Sequence, residues 1–167
     1  MLTILRQLLT VANLYVAEQN RSTEQLLLAD GLWSLAQKAE AGSDAQLQFV
    51  KFFAQFARSD QQLANISALL NGELKLASLA IDTDLRWELI TSLAVGGKIT
   101  SELIDQELAG DNTANGQKYH VAAIAALPDQ GSKQAMFTKL VATDEPSNAL
   151  VNSASLAFGR VLDPKSL

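Results

Sequence analysis

The chain has 167 residues, a net charge of −5, 48% hydrophobic residues, 3 Pro, 9 Gly and no Cys. This length and composition suit one ordinary domain with its own core and argue against disorder or a turn-rich β protein. Interspersed acids and bases exclude the Lys and Arg clusters that neutralise nucleic-acid phosphates, and the absence of Cys excludes disulfides, thiol nucleophiles and cysteine metal sites.

Residues 2 to about 16 place Thr3, Arg6, Gln7, Thr10 and Asn13 at spacings of three and four, so a narrow polar stripe runs along an otherwise apolar helix. Such a helix is expected to be buried over most of its circumference by something that once packed in front of it, and to show its apolar side where that neighbour is missing. It lacks the basic, apolar, small-residue order of a signal peptide, and no window of about 18 apolar residues marks a membrane span. The default expectation is a soluble, cytoplasmic chain with neither nucleic acid nor membrane as partner.

Three capping boxes follow, at Ser22-Thr23-Glu24-Gln25, Ser43-Asp44-Ala45-Gln46 and Ser59-Asp60-Gln61-Gln62. In each, the Ser hydroxyl and the Gln amide can satisfy orphan N–H groups reciprocally, so Ser22, Ser43 and Ser59 are expected helix caps. The first helix runs to about Ala41 and stops at Gly42. The second carries Leu47, Phe49, Val50, Phe52, Phe53 and Phe56 on its apolar side, and the third ends at Asn71-Gly72. Residues 73 to 81 read as a connector.

Asp82-Thr83-Asp84-Leu85-Arg86-Trp87 opens the next helix, with acids where they complement the helix dipole. Helices are predicted at roughly 83–95, 100–109, 114–127, 132–143 and 147–161. Gly96-Gly97, Gly110, Pro128 and Asp144-Glu145-Pro146 separate them, and Asp111 to Thr113 can cap the helix at 114. No window alternates at period 2 long enough for a sheet.

The reading is all-α, with eight or nine antiparallel helices. Helix starts recur roughly every 12 to 21 residues, so a helix pair repeats about every 37, within the range of HEAT-like and armadillo-like arrays. Several helices are apolar around most of their surface, as stacked helices are and as the helices of a four-helix bundle are not. An α-solenoid forming one helical-repeat domain over residues 1–167 is therefore expected.

Candidate chemistry is sparse. His120 is the only histidine, and a His-and-carboxylate zinc site normally takes at least two imidazoles. Tyr119-His120 reads as the polar edge of its helix. Asp82, Asp84, Glu102, Asp105 and Glu107 lie in first turns or on exposed stripes, without the apolar pocket that would hold one acid protonated. Arg86 could hold a ligand, or pair with an acid on a neighbouring helix beside a core Trp87. No phosphate loop or nucleophile elbow is present, and nothing assembles a nucleophile, a base and an oxyanion hole. No catalytic or metal-binding residue is expected in this chain.

The order Leu79-Ala80-Ile81-Asp82-Thr83-Asp84-Leu85-Arg86-Trp87 resembles the C-terminal helical domain of bacterial, especially actinobacterial, M1-family aminopeptidases N. That domain is similar to its counterpart in endoplasmic-reticulum aminopeptidases. Glu107-Leu108 with Asp111-Asn112-Thr113 and Gly116 resembles the next signature, and Ala122 to Pro128 with Lys133 the one after. Gly42-Ser43-Asp44-Ala45-Gln46-Leu47 also fits. The resemblance implies structural roles for Asp82, Asp84, Arg86, Trp87, Asp111, Thr113 and Gly116. It further implies that the chain begins inside the helical domain and stops short of its last helices.

In that family zinc is held by His-Glu-x-x-His and a downstream Glu, in a separate catalytic domain, and a Gly-x-Met-Glu-Asn motif binds the substrate's amino terminus. None of these motifs occurs here. The implied function is an accessory one, inactive alone. The domain would cover the active-site cleft of a zinc-dependent aminopeptidase, with the catalytic domain of the same polypeptide as partner and peptides as the parent's substrates. The alternative is a free-standing HEAT-like scaffold that binds a protein or peptide in its concave face. A metal-independent hydrolase would require a pocket holding two carboxylates with perturbed pKa values.

Overall fold

The structure, a computed structural model, describes residues 1–142 and 147–162. Among them are nine α-helices and no strand, so the fold class is all-α. The expected Asp144-Glu145-Pro146 turn lies outside the described residues. The chain divides into two compact units, Met1–Asp82 and Thr83–Leu167. No described helix is long and apolar enough to cross a membrane.

In the first unit, α1 (Leu2–Thr10) continues into a π-helical turn, Val11–Tyr15, before Val16 turns extended. Only Leu5 and Ala12 are buried in this segment, while Ile4, Leu14 and Tyr15 are 61%, 72% and 78% exposed. Within this chain the helix is therefore not buried over most of its circumference, and its apolar side is exposed. Helix α2 packs against the π turn and covers a single stripe, leaving the remaining apolar side chains open.

Helix α2 (Glu18–Lys38) begins four residues before Ser22, with Ala17 at its N-cap and no side-chain cap. Ser22 is therefore not a cap; it is an exposed residue of the second turn. The physical reason lies in the other half of the expected box. Gln25 is buried and its Nε2 donates to Asn13 Oδ1 at 2.5 Å, so the amide binds α2 to the π turn instead of closing a cap. Glu18 supplies the first turn with a negative charge that complements the helix dipole.

Helix α3 (Asp44–Phe56) is capped by Ser43, whose hydroxyl accepts from the Gln46 N–H. The returning Gln46 Oε1 accepts from the N–H of Gly42, one residue further back than a standard box. Helix α4 (Asp60–Leu70) has the complete box at Ser59 and Gln62. Gln62 also reaches across the unit: its Nε2 donates to Asp30 Oδ1 at 2.7 Å and to the Leu26 carbonyl at 3.3 Å, both on α2. A buried amide with every polar atom engaged fixes the approach of two helices more tightly than apolar packing alone. Around it, Val50, Phe52, Phe53, Phe56, Leu63 and Ile66 form the core, and the Trp33 and Phe53 rings lie 4.9 Å apart.

The second unit comprises α5 (Thr83–Val95), α6 (Ser101–Gly110), α7 (Ala114–Ala126), α8 (Gln130–Ala142) and α9 (Asn148–Phe158). Helix α7 is its hub and packs against the other four. Its buried positions are small, Gly116, Val121, Ala123, Ala125 and Ala126, so neighbouring backbones can approach closely. Helix α5 buries Leu85, Trp87 and every residue from Leu89 to Val95, the pattern of an internal helix. It ends in a Schellman motif: Lys98 N–H reaches the Leu93 carbonyl, Gly97 N–H reaches that of Ala94, and Gly97 takes the required left-handed conformation at φ +64°.

Asp129 Oδ1 accepts the Ser132 N–H at 2.8 Å at the head of α8, and this bond holds the Asp129 carboxyl below the usual carboxylate range. The buried Lys133 Nζ donates to the carbonyls of Ala125 and Phe158, each at 2.7 Å. One ammonium thereby satisfies the C-terminal ends of both α7 and α9, where the helix dipoles favour positive charge. It also lies 4.8 Å from the Phe158 ring centre. Burial pushes the Lys133 pKa down, and Asp129 opposes that.

Candidate functional site

The residues singled out in Asp82–Trp87 and Asp111–Gly116 meet where α5, α6 and α7 join. Trp87 is 1% exposed, and its indole N–H donates to Asp111 Oδ2 at 2.8 Å. The other carboxylate oxygen accepts from the Thr113 hydroxyl at 3.0 Å. That hydroxyl in turn accepts the Gly116 N–H at 3.0 Å and so caps α7. The bonds form one chain from the backbone of α7 through Thr113 and Asp111 to the core indole of α5. Each member polarises the next, so the chain holds more firmly than its bonds taken singly.

Gly116 has a steric role in the same place. A Cβ there would stand 1.9 Å from the Asp111 carbonyl oxygen and 2.8 Å from Asp111 Oδ2. Only glycine lets the Asp111 loop fold down onto the first turn of α7.

Arg86 and Glu107 form a two-pronged ion pair between α5 and α6. Arg86 Nη2 donates to Glu107 Oε2 at 2.8 Å and Nε donates to Oε1, the fork geometry that distinguishes Arg from Lys. The hydrogen bond to Glu107 raises the Arg86 pKa, and burial opposes it. The pair is part-exposed, so it orients α6 more than it stabilises the fold.

Asp84 lies in the first turn of α5 and accepts the Tyr119 hydroxyl at 3.0 Å. Burial, followed by this bond to Asp84, pushes the Tyr119 phenol up. The Trp87 and Tyr119 ring centres lie 6.2 Å apart. Asp82 is exposed and immediately precedes α5. His120 Nε2 stands 2.6 Å from Asp105 Oδ1, across α7 and α6.

The structure thus brings Arg86, Trp87, Asp111, Thr113 and Gly116 together and joins Asp84 to them through Tyr119. Three partners are not evident from sequence spacing: Glu107, Tyr119 and Lys133 bond residues 21, 35 and 25 positions away. A glycine in the first turn of α7, where alanine would propagate the helix better, is the one local sign that a neighbour presses against it.

Chemically, this junction is occupied with holding helices. Its carboxylates and hydroxyls are bonded to one another, and no nucleophile stands against a free base. Among the described residues no three His, Cys, Asp or Glu side chains are grouped to hold a metal ion.

The sequence profile of the ERAP1-like C-terminal domain matches residues 1–162. The chain is also similar to the aminopeptidase N of Streptomyces lividans, at 37% identity over 120 residues, which cover 72% of this chain and 14% of that protein. It therefore spans about a seventh of that relative's length. The profile match takes in the α5–α7 junction and both units, and the chain belongs to the family of ERAP1-like C-terminal domains.

Proposed function

We propose that this chain is the accessory helical domain of a zinc-dependent aminopeptidase, which removes N-terminal residues from peptides. In this reading it covers the active-site cleft and limits which peptides enter, and it is inactive alone. The match over residues 1–162 carries the reading. The aminopeptidase N relative, of which the chain spans a small part, supplies the activity of the parent.

Zinc and the catalytic groups belong to another domain of the parent polypeptide, which is the partner, and the setting is cytoplasmic. Within the second unit, helices locked together by the Trp87–Asp111–Thr113–Gly116 chain suit a rigid wall. Closing such a wall over a cleft excludes water and selects substrates by length.

The test is to assay the chain alone with added zinc, and then after mixing with the remainder of its parent polypeptide, on aminoacyl substrates and peptides of graded length. The expected result is no turnover alone and, on mixing, a change of about tenfold in the ratio of kcat/KM between short and long peptides, equivalent to about 1.4 kcal/mol. An unchanged rate and length preference on mixing would remove the gating role. Metal-dependent turnover by the chain alone would overturn the accessory assignment.

A further inference from the structure

A cleft of about 180 Å³ opens in the second unit between α5, α7 and α9. Glu88 borders it from α5, Tyr119 from α7, and Leu156 and Ser153 from α9. Arg160, just beyond the end of α9, completes the lining. The polar tips of the two aromatic residues are already engaged, Trp87 on Asp111 and Tyr119 on Asp84. Ring surface and the exposed Leu156 side chain therefore supply the apolar part of the lining.

The charges are arranged differently from those at the junction. Burial lowers the Arg160 pKa and Glu88 acts on it through space in the opposite sense. Yet among the described residues neither side chain has an ion pair or a side-chain hydrogen bond. Elsewhere in this unit opposite charges are paired directly, as Arg86 and Glu107 are. Two unlike charges thus border one small cavity without joining. A molecule carrying both complementary charges on adjacent atoms would satisfy them together.

We propose that this cleft binds a free α-amino acid with an apolar side chain. Its ammonium lies on Glu88 beside the Tyr119 ring, its carboxylate on Arg160, and its side chain against Leu156. An ammonium gains from a carboxylate and an aromatic face together, and a carboxylate matches the guanidinium fork. The volume falls below the roughly 300 Å³ at which pockets for larger organic ligands begin, so one amino acid fits and a folded or extended peptide does not. The proposal goes beyond the accessory role, because it concerns a ligand of the second unit itself and needs no catalytic domain.

The chain holds two tryptophans, Trp33 in the first unit and Trp87 at the cleft, so their indole N–H signals in a nitrogen-15 spectrum separate local from general effects. Leucine is expected to move the Trp87 signal saturably and to leave that of Trp33 in place. Leucinamide, which lacks the carboxylate, and 4-methylpentanoate, which lacks the ammonium, are each expected to bind about tenfold more weakly or worse, the loss of one charged hydrogen bond.

Glu88→Gln and Arg160→Gln are expected to weaken leucine binding by a similar factor while the free-state spectrum persists. The analogues decide the question even where a variant fails to fold. Absence of a saturable Trp87 shift with leucine would overturn the proposal. Equal binding of leucine and either single-charge analogue would overturn it as well.

Discussion

Gly116→Ala is expected to destabilise the second unit by about 3 kcal/mol, the upper end of the usual cost of overpacking. The opposite result follows from helix propensity alone. Gly116 is the third residue of α7, and alanine in a helix is favoured over glycine by about 1 kcal/mol. Geometry decides between the two. The new Cβ would meet the Asp111 carbonyl oxygen at 1.9 Å, and that oxygen is backbone, which cannot swing aside as a side-chain tip can. Relief requires the Asp111 loop to lift, which breaks the bonds to Thr113 and Trp87 as well. Since whole domains are stable by only about 5–15 kcal/mol, much of the margin would disappear. Urea denaturation followed by circular dichroism measures it, and a variant more stable than the parent would show that the loop is not pressed onto α7.

Trp87→Ala is expected to cost about 3–5 kcal/mol, the range for emptying a buried aromatic site. Trp87 is among the largest fully buried side chains of the unit, and its loss also deprives Asp111 Oδ2 of its donor. Trp87→Phe separates the two contributions. It keeps most of the ring packing but leaves a part-buried carboxylate oxygen without its indole partner, which should cost about 1–3 kcal/mol. Midpoints of urea unfolding at unchanged slope report both changes. A Trp87→Phe variant within about 0.5 kcal/mol of the parent, as for an ordinary surface change, would remove the indole hydrogen bond from the account.

The all-helical class and the helix positions are readable in the sequence because their signals are local. A cap is written in four residues, and Ser43 and Ser59 sit at helix starts with Gln three places on. Ser22 shows how the same pattern fails. Its box is as good as the others, but Asn13 claims Gln25, and α2 extends backward over residues that tolerate helix. A tertiary demand of one buried amide outweighs a cap worth about 1 kcal/mol.

The exposed apolar face of α1 and the π turn has a related cause. Periodicity shows which side chains share a face, but not whether a neighbour covers it. At the junction, Arg86 and Trp87 are conspicuous in the sequence, whereas Glu107 and Tyr119 become their neighbours only through the packing of α6 and α7 on α5. The cleft is less visible still. Glu88 and Arg160 lie at opposite ends of the unit's sequence, and no spacing rule connects an acid on α5 with a cation beyond α9.

The central structural claim is that Trp87, Asp111, Thr113 and Gly116 act as one bonded unit. A double-mutant cycle between Trp87→Phe and Asp111→Ala, read by urea denaturation, tests it most directly. The expected coupling is about 1.5–3 kcal/mol, the value of a hydrogen bond to a charged group. Single changes that add to within about 0.5 kcal/mol would contradict the claim, since independent sites behave that way.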